Sequence, residues 1–251
     1  EMVRAVDADN LTATVEAGCV LQDVEAADTA LVLVVPVRLG SVGSCTIGGN
    51  LASNAGGTQV LRYGNARELC MGLEVVTAAG EVWDGLSGLR KDNSGYDLRD
   101  LFIGSEGTLG IITAATVKLH PRPGATLTAL AACPGIDAVL ALLRAARSRL
   151  DAGLTGFELI EGFALHLLAR HYPDPRQPLD APPWAVLLEV AAGDEAEARE
   201  RLHALLDEAS AHGLVGDAVV AASLAQAREL WQLRESIPLA QAREGLNIKH
   251  D

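Results

Sequence analysis

SCTIGGNLASNAGG, residues 44–57, is the stretch on which the reading of this chain turns. A flexible linker would be mostly Gly and Ser and would carry no buried pattern. Here Ile47, Leu51 and Ala55 recur every four residues, with Asn50 and Asn54 between them. That regularity predicts one ordered path with one packed side. Gly40, Gly43, Gly48, Gly49, Gly56 and Gly57 suit positive φ or the close approach of a ligand to the backbone. Successive backbone N–H groups in such turns make an anion-binding nest. The stretch is not a P-loop, because no GK[ST] follows, and it is not a GxGxxG fingerprint at a strand–helix turn. Two readings stand at this point: tight turns that need Gly for steric reasons alone, or backbone shaped to lie against something flat and charged.

The chain around it has 251 residues, enough for one large domain or two smaller ones. Aromatics make up only 4%, so the core must be built from Leu, Val, Ile and Ala. The formal charge of −13 argues against nucleic acid as a partner, which needs a basic footprint. An anionic ligand would have to be held by local Arg, Lys or backbone N–H groups that override this field. Cys19, Cys45, Cys70 and Cys133 form no CxxC pair and read as small buried apolar residues in a reducing compartment. No apolar run reaches the roughly 18 residues of a membrane span, and no signal peptide is visible.

The first half reads as short strands with tight turns. LTATVEAGCV alternates like a strand, 20–30 reads as a short helix leading to 32–36, and GLEVVTAAGEVWD reads as a hairpin turning at Ala79-Gly80. GTLGIITAATVKLHPRP is a further β unit, ended by Pro121 and Pro123. Beyond the prolines come a strand in TLTALAACP, a helix over 136–150, a second helix in GFELIEGFALHLLARHY and a buried strand in WAVLLEVAA. DEAEARERLHALLDEASAHG is then an amphipathic helix with an acidic first turn, closed by Gly213. Its Leu202, Leu205 and Leu206 are expected to face the sheet. The expected fold class is α+β, with domains over 1–121 and 122–251.

PVRLGSVGSCTIGGNLASNAGG, LRYG, GLEVVTAAGEVWD, LRKDNSGYDLRDLFIGSEGTLGIIT and LWQLRESIP followed by a Lys, in that order and spacing, resemble the FAD-linked 2-hydroxyacid dehydrogenases of the vanillyl-alcohol-oxidase-like superfamily. The resemblance covers almost the whole chain. It implies the second half of an FAD-binding domain over 1–121, followed by an incomplete cap or substrate domain over 122–251 that closes the substrate site over the flavin. Non-covalent FAD is the implied cofactor, with Pro36, Gly40, Ser44, Thr46, Ile47, Gly49, Asn50, Ala52, Asn54, Gly56, Gly107, Gly110 and Ile111 as the implied contacts. A pyrophosphate and a planar ring need small residues and free N–H donors close by, which agrees with the glycine pattern.

Arg234 and Lys249 match the positions that bind the substrate carboxylate. A guanidinium grips a carboxylate with two parallel hydrogen bonds, and Lys adds a point charge. Pro238 stands where some members carry a hydroxyl residue, which removes one substrate contact. The implied reaction is oxidation of a D-2-hydroxy acid of the 2-hydroxyglutarate, lactate or glycolate type to the 2-oxo acid, with hydride passing to flavin N5. The implied acceptor is an electron-transfer protein or a quinone. The alternatives are a flavin-dependent alcohol oxidase of the same superfamily and a non-catalytic truncated product. The expected setting is cytoplasmic, with peripheral membrane association through the acceptor allowed, and a homodimer is allowed too.

The six histidines carry no metal-ligand spacing: His166 and His171 are five apart, and no HExxH or paired Cys/His set exists. His120, His203 and His212 are expected at element ends, in water, and His250 opposite Lys249 on a strand. The chain opens on Glu1 and closes on LNIKHD without a polar tail, which reads as an internal piece of a longer polypeptide. The resemblance then places a second Gly-rich loop before it. After it, the resemblance places an H-x-G-D-G-N-x-H run that supplies a divalent metal and the base.

Overall fold

The computed structural model describes residues 2–28, 33–36, 43–174 and 177–248. The chain divides into two compact units, Glu1–Arg122 and Pro123–Asp251.

In the first unit the order is β1 (Val3–Asp7), β2 (Thr12–Glu16), α1 (Leu21–Asp28), β3 (Leu33–Val34), α2 (Ile47–Ala52), α3 (Val60–Tyr63) and α4 (Ala66–Leu69). Next come β4 (Cys70–Thr77), β5 (Val82–Gly85), α5 (Arg99–Phe102), β6 (Gly110–Lys118) and β7 (His120–Pro121). An antiparallel sheet runs β1-β2-β6-β4-β5, and β3 pairs separately with β7. Alternation explains the sheet: Leu73 and Val75 of β4, Val15 of β2 and Val117 of β6 are buried in one core cluster. Ile47 and Leu51 of α2 join that cluster, so the four-residue spacing of the glycine-rich stretch is a helical face seated on the sheet. The hairpin between β4 and β5 turns through Gly80 at φ +79°, as the Ala-Gly signal predicts. Pro121 does not end the β structure as expected. It lies inside β7, opposite Leu33 in a two-residue strand, where a missing N–H disrupts no longer ladder.

The second unit runs β8 (Ala125–Cys133), α6 (Ile136–Leu150), β9 (Leu154–Glu161), α7 (Gly162–His171), β10 (Trp184–Ala192), α8 (Glu195–Ala211), β11 (Asp217–Val220) and α9 (Leu224–Glu244). Its antiparallel sheet has the order β11-β8-β10-β9. Leu142 of α6 and Leu202 and Leu205 of α8 pack with Val186 and Leu188 of β10. Leu168 of α7 and Leu230 and Leu233 of α9 pack with Leu187 of β10 and Leu130 of β8 on the other face. Helices on both faces explain why β10 reads as an apolar run interrupted only by Glu189. Each of these fully buried leucines contributes roughly 1.5–3 kcal/mol of transfer free energy.

The segment GFELIEGFALHLLARHY is half strand, not one helix. Phe157 packs in the α6/α8 cluster and Ile160 in the α7/α9 cluster, a period of two that belongs to β9. Gly162 then turns the chain into α7. Its N–H donates to the Pro183 carbonyl at 2.8 Å, and an added Cβ would come within 2.5 Å of the Pro182 carbonyl oxygen. The acidic helix forms as expected: Asp194 caps α8 by accepting from the Glu197 N–H at 2.9 Å, and Gly213 follows at φ +70°.

Candidate functional site

Thr46 caps α2, its hydroxyl accepting from the Gly49 N–H at 3.2 Å. The helix lies so close to β2's exit that an added Cβ on Gly48 would meet the Ala17 Cβ at 2.6 Å. Gly48 is thus needed for packing, while Gly49 and Ser44 are exposed. Asn50 is buried and its side-chain N–H reaches the Cys45 Sγ at 3.6 Å. Asn54 leaves the helix at φ +50°, and its Oδ1 accepts from the Arg67 N–H at 3.1 Å. Asn is one of the few residues that tolerates this backbone region.

The second glycine group comes to the same place. Gly104 N–H donates to the Leu51 carbonyl at 3.0 Å and Glu106 N–H to the Ala52 carbonyl at 2.9 Å, so the loop after α5 docks on the last turn of α2. Gly104, Glu106 and Gly107 all have positive φ, at +79°, +51° and +78°. Arg67 holds the junction from below, donating to the Asp100 and Ile103 carbonyls at 2.9 and 2.7 Å. Past the loop, Leu109 and Ile111 are more than half exposed, whereas Ile112 points into the core. An apolar strip therefore borders the glycines, and the Cβ direction at Gly107 runs to Ile111 Cδ1 at 3.6 Å.

The implied contacts do not all have one reason for being small. Gly110 is buried, and a Cβ there would meet Val75 Cγ1 at 2.7 Å, so strand packing alone requires glycine. Gly56 is confined by Asn65 Oδ1 at 2.6 Å. Ile47 turns its side chain into the core. Pro36 is buried and Ala52 half-buried. Gly40 lies outside the described residues.

A cleft of about 400 Å³ opens elsewhere in this unit, lined in part by Trp83, Tyr96, Arg90, Arg99 and Lys118. Its cations are structural. Arg90 donates to the Asn10 and Leu11 carbonyls, Lys118 to the Glu68 carbonyl, and Arg99 pairs with Asp97 and donates to the Cys70 carbonyl at 2.8 Å. The Arg99 hydrogen bond holds the Asp97 carboxyl below its ordinary range. Burial pushes the Cys70 thiol up to about 12, so it is inert, as expected of a packed cysteine. His120 is not simply in water: it is half-buried, edge-on to Tyr63 at 4.8 Å. Burial lowers its pKa, and Arg62, Lys118 and Arg90 lower it further.

In the second unit Arg234 projects from α9 and its Nε donates to Glu158 Oε2 of β9 at 2.7 Å. One turn earlier Trp231 Nε1 donates to Glu189 Oε2 of β10 at 3.1 Å. Glu189 is 1% exposed, and Thr155 Oγ1 donates to its other carboxyl oxygen at 3.1 Å. The far end of α9 is tied to α7: Arg243 donates to the His171 carbonyl at 2.9 Å and lies 4.2 Å over the Tyr172 ring. The His171 hydrogen bond and the Arg170 charge hold Glu244 below its ordinary range. Pro238 sits inside α9 and deprives the Arg234 carbonyl of its intrahelical donor. Lys249 and His250 lie outside the described residues. Among the described residues no group of three or more His, Cys, Asp or Glu is placed to hold a metal ion, and no helix is long and apolar enough to cross a membrane.

The family model described as "FAD linked oxidases, C-terminal domain" matches residues 122–251, just over half of the chain. The chain belongs to the FAD-linked oxidases. A second family model, "FAD binding domain", matches residues 1–85. This FAD-linked oxidase chain is 40% identical over 236 residues to the mitochondrial D-2-hydroxyglutarate dehydrogenase of Rattus norvegicus, covering 94% of the chain and 44% of the relative. It is 44% identical over 233 residues to the D-2-hydroxyglutarate dehydrogenase of Xanthomonas citri pv. viticola, covering 92% and 48%. The chain thus spans less than half the length of these curated relatives. Its fold is that of alkyldihydroxyacetonephosphate synthase, with a TM-score of 0.70 at 21% identity over 97% of this chain and 48% of that one. p-Cresol methylhydroxylase shares the fold at a TM-score of 0.66 and 17% identity, over 87% and 47%. The rat relative's mitochondrial name lends no support to the cytoplasmic expectation.

Sequence reasoning passed over Arg67, Glu158, Glu189 and Trp231 as site-building residues. Glu189 had a visible signal, as the one carboxylate in the apolar run WAVLLEVAA. Glu158 had none, because a Glu in a segment read as helix passes for a solvated position until α9 is laid over β9.

Proposed function

We propose that this chain is part of an FAD-dependent dehydrogenase that oxidises a D-2-hydroxy acid, of the 2-hydroxyglutarate, lactate or glycolate type, to the 2-oxo acid. In this reading 1–121 belongs to the FAD-binding domain and 122–251 to the substrate domain. The observation that carries it is the junction of the two glycine-rich stretches, where Gly104 and Glu106 donate to the end of α2 beside an exposed apolar strip. Exposed Gly49 and Ser44, bare Gly107 and apolar Ile111 suit a group with a charged end and a flat apolar end, which fits FAD. Ser44, Thr46, Gly49, Asn50 and Asn54 on the α2 side, with Gly107 and Ile111 on the loop side, would hold it. When bound, FAD supplies the two-electron oxidising group.

The chain's own residues supply substrate binding. Arg234 takes the substrate carboxylate, its Nε being held by Glu158, and Lys249 adds a second positive charge. Relatives named D-2-hydroxyglutarate dehydrogenase support a D-2-hydroxy acid as the substrate class. Reduced equivalents would leave through an electron-transfer protein or a quinone. The test is anaerobic addition of D-2-hydroxyglutarate, D-lactate or glycolate to the full-length oxidase containing this chain. Bleaching of the visible flavin band by one of them is expected; no bleaching by any of them rejects the proposal.

A further inference from the structure

We infer that Glu158 is a positioning residue that sets the Arg234 guanidinium for an anionic substrate, an inference that rests on the reading of Arg234 just given. Arg234 and Trp231 are three residues apart on α9 and so project from the same flank of the helix. Each ends on a carboxylate of the underlying sheet: Trp231 on Glu189 of β10 and Arg234 on Glu158 of β9. The two carboxylates have different surroundings. Glu189 is buried and fixed from a second side by Thr155, so it pins the helix to the sheet. Glu158 keeps 22% of its side-chain exposure and Arg234 keeps 38%, so their pair stands where a solute can reach it.

The geometry of the pair decides what Arg234 can offer. A guanidinium carries five N–H groups in one plane, one on Nε and four on the two Nη atoms. Glu158 engages the Nε edge at 2.7 Å, and among the described residues no hydrogen bond or ion pair is made by either Nη atom. The fork that matches a carboxylate is therefore left open, and its plane is fixed by the bond at Nε. An arginine without that bond would sample many rotamers and lose them on binding. One held at Nε is organised before the ligand arrives. Trp231 and Glu189 set the height and rotation of the helix, and Glu158 sets the last torsions of the side chain.

The test uses the full-length oxidase containing this chain, with D-2-hydroxyglutarate and D-lactate as probes. Glu158→Ala is expected to raise KM about 10-fold, the cost of ordering a freed guanidinium on binding, with kcat changed less than about threefold and flavin content unchanged. Glu158→Gln keeps an acceptor for the Nε–H and is expected to raise KM only about fivefold, which also carries the test where the Ala variant fails to fold. A purely structural role would lower the thermal midpoint and the active fraction while leaving KM in place. KM within about twofold of the parent in the folded variants, with Arg234→Ala still raising it, overturns the positioning role and leaves the reading of Arg234 standing. If Arg234→Ala also leaves KM unchanged, both fall.

Discussion

In the proposed reading the first unit meets its ligand with exposed backbone and bare Cα positions around α2 and residues 104–110, and the second with the side-chain N–H groups of one arginine seated on a sheet. The first kind of site has little room for added atoms at Gly48, Gly56 and Gly110. Its precision comes from closeness, as at Gly48, and from backbone that only Gly or Asn adopts readily, as at Gly104, Gly107 and Asn54. The second kind tolerates bulk and depends on carboxylates that face inward. Substitutions should therefore fail differently in the two places: by steric exclusion in the first unit and by loss of a partner in the second.

The largest effect is expected at Glu189. Glu189→Ala leaves the Trp231 N–H without its buried acceptor and the Thr155 hydroxyl with the residue 189 carbonyl alone, and should cost about 3 kcal/mol in denaturant unfolding. Glu189→Gln should recover much of it, and equal loss in both variants would show that the charge, not the bonding, matters. Next comes Gly48→Ala, whose Cβ would sit 2.6 Å from that of Ala17. It should cost about 2 kcal/mol by the same measurement and weaken flavin retention, whereas Glu189→Ala should leave flavin retention alone. If both variants lose flavin equally, the contrast between the two sites is broken.

Asn54 sharpens the comparison within the first unit. Asn54→Ala loses the bond to the Arg67 N–H and keeps an unfavourable φ, for a cost of about 1.5 kcal/mol. Asn54→Gly loses only the bond, so its unfolding midpoint should fall between the Ala variant and the parent.

The smallest effect is a pH dependence at His120, whose pKa is lowered from its ordinary value near 6.5 by burial and neighbouring cations. The unfolded chain binds this proton more readily than the folded one. The contribution is therefore fully present above about pH 6.5 and is lost as pH falls below it toward the folded value. Unfolding midpoints taken between about pH 7 and 5 should fall, and His120→Phe, which keeps a ring beside Tyr63, should flatten that part of the curve.

These differences also explain what could be read before the fold was known. The α2 face was legible because Ile47 and Leu51 carry their helical period in the chain itself, and the hairpin was legible at Ala79-Gly80. The docking of Gly104 and Glu106 on α2 was not, since hydrogen bonds between segments about fifty residues apart leave no local period. β9 was misread as helix because GFELIE and GFALHLL share apolar spacing that fits both periods, and only Gly162 under the Pro182 and Pro183 carbonyls separates them. Arg234 stood out by motif, but the carboxylate bonded to it lies 76 residues earlier, on strand β9.

The most direct test of the account is anaerobic titration of the Arg234→Lys full-length oxidase with D-2-hydroxyglutarate, following flavin absorbance. Lys keeps the positive charge and loses the fork. Flavin content is expected to stay unchanged and the concentration for half-reduction to rise about 10- to 100-fold. Half-reduction at the parent's concentration, or loss of the flavin itself, would contradict the assignment of cofactor to the first unit's backbone and substrate carboxylate to Arg234.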